Sequence, residues 1–155
     1  MLRVSGFEFV VRILPEAFIF MFAAYAFSKT KIDKRKYFIS SIILGLCVFL
    51  IRMLPINYGV HTILNIITLP ILCNLINKIN IVESTKVSII ISILLFVLEG
   101  LNVVLLNMIF GESLTEIMTN NTLKTIYGLP SLVLLFSIVT IYYKHLVKKD
   151  KFKYA

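Results

Sequence analysis

Four ionisable side chains interrupt otherwise apolar runs: Arg12, Glu16, Arg52 and Glu99. Inside a bilayer such a group costs at least about 2.5–3.5 kcal/mol at a helix centre, so each is expected to face protein or water rather than lipid. Arg12 and Glu16 are four residues apart and share a helix face. Two chemistries fit them. The four can neutralise one another and hold helices together, in which case removing one partner is strongly destabilising. Alternatively they line a pocket in which the planar forks of Arg12 and Arg52 grip an anionic group of a ligand. His61, Asn102 one turn beyond Glu99, and Tyr127 with Pro130 are expected at the same depth. The candidate ligand-binding set is therefore Arg12, Glu16, Arg52, His61, Glu99, Asn102 and Tyr127.

Other chemistries lack their parts. The second histidine, His145, falls at the opposite end of the apolar pattern from His61, and Cys47 and Cys73 lie within apolar runs, where they read as small packing residues. No metal site is expected. His61 and Cys73 are separated by about 18 Å of helix, too far for a nucleophile and its base. Ser40, Ser41, Ser92 and Ser137 have no matching histidine, and six scattered glycines do not build a phosphate-binding loop. Neither catalysis nor a cofactor is expected.

The elements that must position these residues follow from composition. Of 155 residues, 59% are apolar and 15% charged, with a mean hydropathy of +0.93; soluble domains hold roughly 45–50% and about 25%. The apolar residues form five runs, at about 7–28, 37–54, 60–76, 87–110 and 125–143, followed by a basic tail at 146–155. A span needs about 20 residues, so the expected fold is all-α: one polytopic bundle of five transmembrane helices. Pro15 removes a backbone donor and crowds the carbonyl four residues earlier, which predicts a kink between Val11 and Pro15. Tyr37, Tyr58, Tyr127, Tyr142 and Tyr143 fall near the ends of the runs, as interfacial aromatics do.

Twelve of the sixteen Lys and Arg residues fall on one side of this topology, in the connections around Lys29–Lys36 and Lys78–Lys86 and in the tail. The cytoplasmic side carries such an excess. The N-terminus is accordingly expected outside and the C-terminus in the cytoplasm, with the candidate site in the outer half. A net charge of +8 could point to nucleic acid, but basic residues beside membrane spans are better matched to anionic lipid headgroups.

The segments Arg12 to Glu16, Arg52 to His61 and Tyr127 to Pro130, with an Arg-x-Leu-Pro sequence at both Arg12 and Arg52, lie in a layout of short spans, compact loops and cytoplasmic C-terminus. That layout, from about Phe7 to Tyr143, resembles the membrane sensor domains of Gram-positive histidine kinases of the peptide-sensing GHKL group. The resemblance implies a bacterial cell-membrane sensor or regulator that binds a small extracellular ligand and signals to a partner such as a kinase, with a homo-oligomer compatible. Because the sequence ends at Ala155, before any coiled coil or ATP-binding domain, autonomous kinase activity is not expected. Two further classes share the composition: the substrate-binding subunit of a small-molecule transporter, and a bacteriocin-immunity-type membrane protein.

Overall fold

The computed structural model describes residues 6–54, 58–111, 119 and 121–148. Among these the chain is helical, with no strand. The first helix, α1, runs Gly6–Phe27. A short loop leads to α2, Lys34–Met53, and then come α3, Tyr58–Leu75, and α4, Ile81–Phe110. Gly128 separates α5, Asn121–Tyr127, from α6, Leu129–Lys148.

Four stretches are long and apolar enough to cross a membrane: Gly6–Phe27, Lys34–Met53, Ile81–Phe110 and Thr122–Lys148. The apolar stretch in α3, Val60–Leu75, is shorter. Large apolar side chains such as Leu75, Phe96, Met108 and Ile141 stand exposed on the bundle's outer face. An apolar exterior of this extent would aggregate in water and is the solvent-facing surface expected in lipid. The chain is thus suited to be a multi-pass membrane protein.

Local sequence explains where the helices start and stop. The Asp33 carboxylate accepts from the backbone N–H groups of Arg35 and Lys36 to cap α2, and the Asn80 side chain accepts from Val82 N–H to cap α4. Leu54 precedes Pro55 and is extended, with ψ of 141°, which ends α2. The fourth apolar run begins at Val87, but α4 starts at Ile81, because Asn80 supplies a cap about two turns earlier.

Helix α1 is central. Helices α2, α3, α4 and α6 each pack on the next, and α1 closes the ring between α6 and α2 while also touching α4. Small residues allow this: Ala17, Ala23, Ala24 and Ala26 are buried, and a Cβ placed on Gly45 of α2 would lie 3.1 Å from Leu14 Cδ2 and 3.6 Å from Ala17 Cβ. On α3, Pro70 cannot bond to the carbonyl of Ile66, four residues back. The hydroxyl of Ser88 on α4 donates to that carbonyl at 2.9 Å, so the helix defect becomes an interhelical link.

Candidate functional site

The distortion anticipated before Pro15 is a π-helical segment. Residues Phe9–Ile13 form it, and Leu14 N–H donates to Phe9 O, five residues back. Its consequence is side-chain alignment. In an α-helix four residues overshoot one turn by about 40°, so Glu8, Arg12, Glu16 and Phe20 would drift progressively around α1. A π turn holds more residues, so four of them fall short of a full turn and the drift is offset. All four side chains face one cavity.

That cavity has a volume of about 340 Å³ and lies at the end of the bundle where α1 begins and α2 ends. From α2 it receives Arg52, from α3 His61, Thr62 and Asn65, from α4 Ser92, Leu95, Phe96 and Glu99, and from α5 Lys124. Two ion-pair systems cross it. Arg12 Nη2 donates to Glu99 Oε1, tying α1 to α4. Arg52 divides its guanidinium, with Nη2 3.1 Å from Glu16 Oε2 and Nη1 3.6 Å from Glu8 Oε1, tying α2 to two turns of α1. Glu16 is buried, whereas the Glu99 side chain keeps 37% of its exposure.

The Arg12 guanidinium also explains Gly128. A Cβ at that position would sit 2.8 Å from Arg12 Nη1 and 3.3 Å from its Cζ. The break between α5 and α6 is therefore a place where the guanidinium approaches the backbone too closely for a side chain. Arg12 Nε is buried with no hydrogen-bond partner.

Of the seven residues expected from sequence, Arg12, Glu16, Arg52, His61 and Glu99 line the cavity. Asn102 and Tyr127 do not. Asn102 Nδ2 donates to Tyr127 O at 2.6 Å, and the Tyr127 ring packs edge-on against Phe110, so this pair fastens α4 to the end of α5. Both arginines meet carboxylates rather than standing open to an anion. Glu8, Asn65, Ser92 and Lys124 were outside the expected set. Glu8 continues the four-residue ladder of Arg12, Glu16 and Phe20, and Asn65 is one turn from His61, so periodicity carried a signal for both.

No protein-family model, curated protein or solved structure matches the chain. Its chemistry must be read from the cavity itself. Among the described residues, no group of three His, Cys, Asp or Glu side chains is placed to hold a metal. What the walls offer is fixed charge of both signs in an apolar bundle, above a floor that includes Phe20 and Leu95.

Proposed function

We propose that this protein is a five-span bacterial plasma-membrane receptor or regulator, N-terminus outside and C-terminus in the cytoplasm, that binds a small extracellular ligand and passes the change to a partner protein. The observation that carries this reading is the cavity of about 340 Å³, which falls in the roughly 300–1,000 Å³ range of ligand sites. Its position at the lysine-poor end of the bundle supports an outward opening, since the basic loops favour the cytoplasmic face. Irregular backbone at membrane depth is tolerated where it lines a cavity or is packed in protein, and the π segment of α1 does line it. Conversion of ligand binding into a signal would use α1, which touches every other long helix and ends beside the basic loop at Lys29 to Lys36.

An introduced cysteine tests the pocket. Asn65→Cys in a Cys47→Ala background is expected to react with a membrane-impermeant thiosulfonate reagent added to intact cells, while the Cys47→Ala chain, whose remaining Cys73 is buried, serves as the blank. An unreactive Asn65→Cys in folded protein overturns the outward pocket. A C-terminal tag should become accessible only after permeabilisation, and accessibility in intact cells overturns the orientation. Crosslinking in native membranes is expected to recover a signalling partner, and recovery of a transport ATPase instead would reassign the site to a transporter.

A further inference from the structure

Resting on the reading of the cavity as a ligand site, we infer that it takes an amino-acid-sized zwitterion with an apolar side chain, the ammonium meeting Glu99 and the carboxylate meeting Arg12 and Lys124. Charge balance comes first. The Lys and Arg residues lining the cavity are Arg12, Arg52 and Lys124, the acidic ones are Glu8, Glu16 and Glu99, and His61 stands beside them. The two arginines already pair with all three carboxylates. A purely anionic ligand could engage either guanidinium fully only by displacing a glutamate, which would then stand uncompensated in a weakly polar surrounding. A purely cationic ligand would strand an arginine in the same way. A zwitterion exchanges one pair for two and leaves the total charge unchanged.

Geometry selects the Arg12–Glu99 pair over the Arg52 system. Arg52 is spread between Glu8 and Glu16, and Glu16 is buried, so this side is committed to holding α1 against α2. The Arg12–Glu99 contact uses one nitrogen and one oxygen. It leaves Arg12 Nε buried without an acceptor, and a carboxylate that remains partly exposed. Lys124 lines the same cavity and forms no ion pair among the described residues. Arg12, a second cation and a partly exposed carboxylate thus line one cavity, where the ends of an α-amino acid could meet them. One turn further along the helices, Phe20 and Leu95 provide an apolar floor, and the buried, unpartnered Asn65 Oδ1 supplies a further acceptor for the ammonium.

The test is thermal unfolding of the full chain purified in detergent, with three matched probes for each of two skeletons. The probes are L-leucine and L-phenylalanine, the corresponding acids lacking the amino group, and the corresponding amines lacking the carboxyl group. At least one of the two amino acids is expected to raise the melting temperature in a saturable manner, and its singly charged analogues to bind about tenfold more weakly or worse, because each leaves a buried group unpaired. Equal stabilisation by the acid, or by the amine, overturns the inference. Glu99→Gln should reverse the preference toward the acid, since Arg12 is then without its carboxylate; an unchanged preference also overturns it. If the variant does not fold, the comparison on the unsubstituted chain decides. If no probe shifts the melting temperature while Asn65→Cys reacts in intact cells, the zwitterion fails and the pocket stands. Failure of that labelling removes the pocket itself.

Discussion

The two ends of the bundle bury polar groups by opposite means. Where α1 begins, ion pairs link α1 to α2 and α4, and these charges, with Lys124 of α5 and the neutral Thr62, Asn65 and Ser92, are arranged around open volume. Where α1 ends, they are neutral and interlocked. Tyr25, Ser40, Ser41, Cys73 and Asn77 are all buried, Asn77 Nδ2 donates to Ser40 Oγ and Met21 Sδ at 3.2 Å, and Ser41 Oγ donates to Tyr37 O at 2.7 Å. Neutral hydroxyls and amides bond to one another here at van der Waals packing, with only single atoms such as Tyr25 Oη and Asn77 Oδ1 left unpartnered, so that end is held without ion pairs. Charges buried with a cavity between them are a costlier solution, and one whose persistence is better explained by binding than by cohesion. On the proposed function, recognition belongs to the ionic end and rigidity to the neutral one.

The largest effect should come from removing the cation that serves two acids. Arg52→Met leaves Glu8 and Glu16 without their shared partner. The expected loss is on the order of 2–3 kcal/mol, somewhat below the ~3–5 kcal/mol of a fully buried broken pair, because these side chains retain some exposure. Denaturant titration of purified protein measures it. Arg52→Lys should fall between, since one ammonium is not a fork and cannot reach two separate carboxylates with fixed geometry. If Arg52→Met is as stable as the parent, the charged end is not a coupled network and the contrast collapses.

Gly128→Ala comes next. The added methyl meets Arg12 Nη1 at 2.8 Å, and the guanidinium must move off the α5–α6 break and strain its link to Glu99. A cost of about 1–2 kcal/mol is expected. In an Arg12→Ala background the same substitution should cost much less, with only the Lys124 carbonyl at 3.2 Å left to crowd it. Additive effects in this double-mutant cycle would show that Gly128 serves the helix break alone.

At the neutral end the expected sign is reversed. Tyr25 is buried and its hydroxyl has no hydrogen-bond partner. A buried unsatisfied polar group costs about 1–3 kcal/mol. Tyr25→Phe should therefore stabilise the protein by about 1 kcal/mol, read as a rise in melting temperature. Destabilisation would mean that the hydroxyl is engaged when the protein sits in its membrane, and that this end too has a polar function.

How far the sequence foretold this arrangement depends on whether the signal was local. Helix runs and the defect before Pro15 are written in adjacent residues, and α1, α2 and α4 end within one residue of the runs expected at 7–28, 37–54 and 87–110. The convergence of Arg12, Glu16, Arg52, His61 and Glu99 followed from the cost of burying charge. Lys124 could not be found that way, because it lies at the edge of an apolar run where a cation carries no penalty. Asn102 and Tyr127, expected at the depth of the charged layer, bond to each other and do not line the cavity, since depth along a helix does not fix which way a side chain turns. Interhelical register was the missing quantity. The same lack hid the link between Ser88 and the carbonyl released by Pro70.

That link gives the smallest expected effect and a sharp test of where the rigidity comes from. Ser88 Oγ is within hydrogen-bond distance of Ile66 O, and Pro70 has no N–H with which to satisfy that carbonyl from within α3. A hydroxyl bonded across helices in a membrane contributes about 0.6 kcal/mol on average. Ser88→Ala should destabilise by about that amount, because it leaves a buried carbonyl with no donor. Pro70→Ala restores the backbone donor, and in that background the Ser88 hydroxyl becomes redundant, so Ser88→Ala should be nearly neutral. The cycle isolates the coupling from any general loss of packing, since the hydroxyl oxygen removed from the interface is the same in both backgrounds. An equal cost in both would mean that Ser88 matters through its contacts with α3 rather than through the carbonyl. The α3–α4 interface would then be held by shape alone, and the neutral half of the bundle would owe its rigidity to packing rather than to hydrogen bonding.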